Sequence, residues 1–380
     1  VLVEADLVVI GAGLAGNCLA AAVAREGWRV VLLERGRGPR HKVCGEFLSP
    51  EAQGSLAGLG LRDTVAALAP AEMTGARLIS RRGMQLGVRL PGVAWGVSRF
   101  TLDTALAGAA AAAGATVLEG VSASAVGGEA GGYVVEARGA DGERLRITAR
   151  AAAVACGRHQ PPGLRAQVAD AGGRPRYVGV KAHYAGLRLP PEVRLYMFAG
   201  GYVGLSPVEG GRANLCLLAS EESFQRAGKT IPAMLSAVAA WNPALARDLE
   251  GGEPLPETMV AVGAVDTGRP TALWDGCARL GDAATMIPPL CGDGQAMAIR
   301  AAEICAPLVD EVLRGRRTAA EWEAAYAAAW RHDFDGPLRA GRLLQGLLGQ
   351  EWLGDGLIAL GGLLPGVAGR AVLATRGPLR

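Results

Sequence analysis

The chain has 380 residues, 50% of them hydrophobic, and a formal net charge of +3. That length fits about two domains rather than one small core, and so even a charge balance gives no footing for nucleic acid, which draws proteins through strongly basic surfaces. The seven cysteines include no C-x-x-C pair and are odd in number, which speaks against a disulfide framework, a structural zinc or any other metal site and for a reducing, cytoplasmic compartment.

The opening stretch, DLVVIGAGLAGNCLAAAVAREGWRVVLLER, reads as strand (Asp6 to Ile10), glycine turn, helix (Ala15 to Arg25) and strand (Arg29 to Glu34). Between the first two elements lies G-x-G-x-x-G. Gly11 serves the tight turn, Gly13 lets a pyrophosphate approach the backbone, and Gly16 allows helix and strand to pack. Helix-terminal N–H groups then face the phosphates. Glu34, followed by Arg35, closes the second strand at the spacing where a carboxylate accepts from a ribose hydroxyl. Strand, turn, helix, strand and terminal acid in this order predict a dinucleotide site.

An arginine- and glycine-rich loop follows, then a short helix from the Ser49-Pro50 cap. ARLISRRGMQLGVRL alternates as short strands. A helix is expected from about Phe100 to Ala113, and Asp141-Gly142 marks a hairpin turn. From about Arg176 to Ser220 the pattern is strands, among them VGVKAHYAGL. A helix with Pro232 in its first turns, proline-rich loops from Pro243 to Pro256 and the strand MVAVGAV come next. RLGDAATMIPPLCGDGQAMAI reads as strand, loop and helix, and the remainder as helical. Asp282, after Gly281 at the strand end, is placed to take a ribityl hydroxyl. The helix opened by Gly292 to Gly294 would turn its N–H groups to the electron-rich end of an isoalloxazine ring. That is the geometry FAD needs.

No charged segment with an apolar core precedes the first strand, and no run of about 20 apolar residues spans a bilayer. GDGLIALGGLLPGVAG, broken by Pro365, is compatible at most with peripheral lipid contact. Trp352, Leu357, Leu360 and Leu364 in this region read as packing, and Arg174, Arg176 and Arg188 as solvated. The expected class is α/β with an α+β insertion. Residues 1–75, 97–165 and 260–330 form a discontinuous Rossmann-like FAD-binding domain, 76–96 and 166–259 a β-sheet substrate domain, and 331–380 a helical tail.

The glycine motif with Glu34, the segment SRFTLDTAL and the segment GDAAT…PPLCGDG together resemble the FAD-dependent oxidoreductases of the p-hydroxybenzoate hydroxylase fold, over residues 1 to about 330. The resemblance implies that Arg99 approaches the FAD, with Asp103 as its helix-stabilising neighbour. The family's Asp-Gly pair appears here as Cys156-Gly157. The loop PRHKVCGEF is similar to the P-x-x-K-x-C-G signature of geranylgeranyl reductases, which implies Cys44 beside the flavin and Gly45 permitting close approach. Their middle aromatic motif has a loose echo in YMFAGGYVGLSP, with Tyr196 and Phe198 but Met197 where a tryptophan is expected. Halogenases of this fold carry W-x-W-x-I-P, which is missing here, and the lysines are only Lys42, Lys181 and Lys229.

On the substrate side, Lys181 and His183 share one face of their strand, and Tyr202 is expected on a neighbouring strand, so the three are candidates to converge on a pocket. The expected activity is an FAD enzyme reduced by transiently bound NAD(P)H and acting on a hydrophobic small molecule. It would reduce a carbon–carbon double bond or, alternatively, hydroxylate an aromatic or polyketide-type substrate with oxygen. A non-catalytic prenyl-binding carrier of the same fold is the rival from another class.

Overall fold

The computed structural model describes residues 2–129, 132–158, 160–165, 176–268, 270–348, 351–363, 366, 369–370 and 373–376. Arg174 and Leu364 and the side chain of Trp352 lie outside the described residues.

Two sheets organise them. In the first, strands run in the order Thr116–Glu119, Val30–Glu34, Leu2–Ile10, Arg144–Val154, Gly132–Gly139, Val121–Glu129. The late strand Ala278–Arg279 adds in parallel alongside Arg144–Val154. Leu7 pairs with Val30 and Ile10 with Val154, both in parallel register. A parallel core strand is covered on both faces and reads as a continuous apolar run. Accordingly Leu7, Val9 and Leu32 pack with the helices Leu14–Arg25, Arg99–Ala112 and Gly294–Leu313. Val8, Ile10 and Leu33 pack on the other side with Val135, Ile147 and Val154.

The second sheet has eight strands in the order Glu253–Val265, Tyr177–Ala185, Arg212–Ser220, Gly201–Val208, Glu192–Phe198, Ala71–Ile79, Gln85–Gly96, Phe47–Leu48. Side chains alternate across a strand. Val180, Ala182, Val203, Leu205 and Leu215 bury one face under the helices Ile231–Trp241 and Pro243–Asp248. Gly179, Lys181, His183, Tyr202, Gly204 and Cys216 take the other, towards the first sheet.

The sheet is wider than composition suggested. It takes in Phe47–Leu48, starts again at Ala71 and keeps Glu253–Val265 as one strand across the expected boundary at 259. Pro254 and Pro256 disguised that strand as loop. It lies at the sheet edge, where a missing N–H need break no ladder.

The long helix Ala319–Leu348 buries Trp322, Tyr326, Trp330 and Phe334 against the first unit. Its end, with Leu357 and Ile358 of the helix Glu351–Leu363, packs on Leu78, Leu86 and Val88 of the second sheet. Among the described residues no helix is long and apolar enough to cross a membrane. The sheets are also tied by a shared helix end. Glu209, from the second sheet's turn, accepts from Ser98 N (2.7 Å), Ser98 Oγ (2.6 Å) and Thr101 Oγ1 (2.8 Å), closing the N-terminus of Arg99–Ala112.

Candidate active site

At the carboxyl ends of the first sheet's strands, Gly11 has φ 108° and a Cβ there would lie 2.6 Å from the Ala155 carbonyl oxygen, so the turn admits only glycine. At Gly16 a Cβ would lie 1.9 Å from the Gly11 carbonyl oxygen, which sets the closeness of helix and strand. Gly13 differs, because its Cβ position meets nothing nearer than Arg99 Nη2 at 3.9 Å. It borders a groove, not a neighbour. The helix behind it begins with no side-chain cap and no acid in its first turn, so its orphan N–H groups are available to an anion.

Glu34 Oε2 accepts from Ala12 N (3.1 Å), and its Oε1 accepts from Gly36 N (2.8 Å) and Arg40 Nη2 (2.7 Å). The carboxylate is thereby aimed at the groove's edge, with exposed Arg35 at the mouth. Further along the groove lie Arg99, Cys156, Gly157 and Asp282. Arg99 Nε and Nη2 each donate to Asp103 at 2.9 Å, and Lys42 Nζ joins the same carboxylate at 2.6 Å. Burial opposes ionisation of Asp103, but the two cations outweigh it and hold its carboxyl below the usual range.

The groove continues past Gly281 (φ 58°), Asp282, Gly292 (φ 68°) and Gly294. The helix Gly294–Leu313 begins without a side-chain cap, since Asp293 instead accepts from Ser49 Oγ at 2.6 Å. Two bare helix N-termini, a glycine with open space above it and a carboxylate at the strand end together fit an extended dinucleotide with a polar ring at its far end.

Residues 4–177 match the family model for the FAD binding domain. The chain belongs to the FAD-dependent oxidoreductases. This oxidoreductase is 28% identical to the menaquinone reductase of Mycobacterium tuberculosis over 365 residues, covering 90% of this chain and 84% of that protein. Among solved structures, a geranylgeranyl bacteriochlorophyll reductase-like protein from Thermoplasma acidophilum superposes with TM-score 0.74 at 19% identity, covering 99% of this chain and 96% of its own. The myxobacterial chondrochloren halogenase does so with TM-score 0.75 at 24%, covering 87% and 79%. At those identities both report the fold.

Next to the oxidoreductase's groove, under the second sheet, lies a cavity of about 230 Å3 walled by Ala76, Leu78, Val193, Leu195, Leu218 and Val262. Val43, Cys44, Gly45, Phe47 and Asp282 line both it and the Gly281-to-Gly294 end of the groove. Cys44 Sγ faces two donors, Gln295 Nε2 at 3.2 Å and Glu46 N at 3.5 Å. Burial pushes the thiol up, against the pull of Arg99. Tyr202 lines the cavity, and burial raises its hydroxyl well above the ordinary value.

Lys181 and His183 do not join Tyr202 there. Both are fully buried and grip Glu46: Lys181 Nζ lies 2.7 Å from Oε1 and His183 Nε2 2.6 Å from Oε2. Nor is Tyr202 on a neighbouring strand: Arg212–Ser220 runs between, pairing its Cys216 with Lys181 and its Leu218 with Tyr202. Glu46 was not singled out from the sequence, although it follows Cys44-Gly45 directly. Its backbone is left-handed (φ 53°), its Oε1 also accepts from Arg99 N at 2.9 Å, and its own carbonyl oxygen accepts from Val97 N. Burial works against the charge, but the His183 hydrogen bond and the Lys181 ammonium keep the carboxyl below its usual value. Gln295 likewise carried no sequence signal beyond its place after Gly292 to Gly294.

Proposed function

We propose that this oxidoreductase reduces a carbon–carbon double bond in a hydrophobic, isoprenoid-type substrate, with NAD(P)H as the transient reductant. The observation that carries the reading is the continuity at Val43 to Gly45 between the cofactor groove and an apolar cavity. The menaquinone reductase relative, alike over most of both chains, supports an isoprenoid quinone as the substrate class.

Gly13, Glu34, Arg99, Asp282 and the N-terminus of the Gly294 helix would hold the FAD. Once reduced by NAD(P)H, bound FAD would supply a hydride, that is both electrons together with one proton, to the double bond. What the chain adds is placement and a proton. The apolar walls exclude water and seat the hydrocarbon. The Cys44 thiol, held protonated by burial, offers a proton at the cavity's cofactor end. Gln295 Nε2–H and Glu46 N–H, both aimed at Sγ, stabilise the charge left on sulfur once the proton has gone. Lys181, the lysine nearest the second sheet's inner face, is committed to Glu46 and does not line the cavity, which disfavours lysine-dependent halogenation.

The test is anaerobic reduction of the purified yellow protein by NADH and by NADPH, followed by a short-chain menaquinone or geranylgeranyl diphosphate without oxygen. Flavin reoxidation with appearance of a dihydro product supports the reading. Reoxidation only on admitting air, with a hydroxylated product, establishes the oxygenase instead, and a colourless protein that binds prenyl chains establishes the carrier.

A further inference from the structure

The second sheet's cavity is largely apolar, and among the described residues two arginines line it: half-buried Arg158, which it shares with the cofactor groove, and buried Arg376. Arg376, 9% exposed, and its neighbour Thr375 line the wall from the C-terminal segment. Arg376 lies with its guanidinium carbon 5.8 Å from the centre of the Phe47 ring. An ion pair at 3.6 Å links its Nη1 to Glu51 Oε2, too long for a hydrogen bond. Among the described residues neither Nε nor Nη1 has a hydrogen-bond partner, and neither does either oxygen of Glu51. Buried donors are normally satisfied, and a guanidinium offers its N–H groups as a planar fork suited to carbonyl or phosphate oxygens.

A polyprenyl chain repeats the same unit. Walls of leucine and valine distinguish one unit from the next only weakly, because an apolar pocket reads methylenes at small differences in energy. Something polar must set the register. Phe47 beneath the guanidinium is three residues from Cys44 and lines the same end of the groove as Gly292, where an added Cβ would lie 3.5 Å from its ring. An oxygen atom bound by Arg376 is therefore close to the reacting end, not at the far end of the tail.

We propose that Arg376 anchors the oxygen-bearing head of the substrate, a quinone carbonyl or a diphosphate, and so decides which double bond meets the flavin. The inference rests on the isoprenoid reading above. The experiment compares wild type, Arg376→Met and Arg376→Lys as flavin-loaded full chains. Binding is followed by perturbation of the flavin spectrum with three probes: a short-chain menaquinone, geranylgeranyl diphosphate and squalene, which has no head. Product positions are mapped by mass spectrometry.

Arg376→Met is expected to weaken a head-bearing probe at least tenfold and leave squalene within twofold, with Arg376→Lys between. Whichever of quinone and diphosphate loses more in the variants is the head the site takes. Reduction should spread from one double bond to several. Equal weakening of all three probes, or an unchanged product pattern, overturns the anchor. If wild type reduces no double bond but Arg376 still discriminates head from no head, the reductase reading fails and the anchor stands; if wild type binds no probe, both fall.

Discussion

The groove on the first sheet and the cavity under the second meet at Val43 to Gly45 but are built of opposite materials. The groove is backbone: bare helix ends at Leu14 and Gly294, glycines at 11, 13 and 292, and a few fixed charges. The cavity is side chain, apolar walls from distant strands closed by the C-terminal helices. A backbone site tolerates many sequences around a few obligatory positions, whereas a side-chain site is retuned by any wall residue. One fold can thus keep its cofactor while its substrate changes.

The largest effect that would break this contrast is at Gly13. Gly13→Val is accommodated by the protein, since the Cβ position faces open space, so circular dichroism should stay native while FAD is lost altogether on gel filtration. Native structure with stoichiometric flavin would show that the groove is not the cofactor site.

Next is the buried charge cluster at the junction. Lys181→Met strips Glu46 of a partner in a fully buried site, and breaking such pairs costs about 3–5 kcal/mol. Urea unfolding measures it. A cost under about 1 kcal/mol, the level of an exposed pair, would mean that the cluster is hydrated in solution.

Glu34→Ala removes charge-assisted hydrogen bonding worth about 1.5–3 kcal/mol, so titration of the apoprotein should show FAD weakened roughly tenfold to a hundredfold. An unchanged dissociation constant would leave Glu34 as a turn-former for Ala12 and Gly36 only.

A smaller effect concerns pH. The Glu46 carboxyl is held below its ordinary value near 4.5 in the folded protein, so the unfolded chain binds the proton more readily. The stability it contributes is fully present above that ordinary value and drains away as pH falls through the folded one. Chemical denaturation between pH 6 and pH 3 should therefore show an acid limb that is shallower in Glu46→Gln; identical limbs would assign the loss to other carboxylates.

The smallest belongs to the tail. Leu360 is 53% exposed, and Leu360→Ser should alter stability by less than about 0.5 kcal/mol. A larger loss of stability, or loss of binding to anionic vesicles, would give this face a partner.

How much could be read beforehand follows the same division. Gly11, Gly13, Gly16 and Glu34 lie within one strand-helix-strand unit, and Gly281 to Gly294 within a strand-loop-helix unit, so local spacing was enough for the fold class and for the residues proposed to hold the cofactor. Glu46 lies 135 residues before Lys181 and 137 before His183 in sequence. Strand alternation put Lys181 and His183 on the correct face but not in the correct company, because an ion pair between a strand and a distant loop leaves no periodic trace. Pro254 and Pro256 hid an edge strand, and nothing near Arg376 announced that the segment returns to Phe47.

The strand Ala278–Arg279 joins the first sheet beside Arg144–Val154, and the turn after it carries Asp282. Everything that would hold the adenosine end is translated before Arg176, while the part that would grip the ring leaves the ribosome only after the entire second sheet has been made. At about 5–20 residues per second, many seconds separate the two halves. Cofactor capture would thereby be a completeness check: a nascent or truncated chain that stops short of residue 294 would have half of the proposed site and stay colourless, so colour would report that synthesis reached the helix Gly294–Leu313.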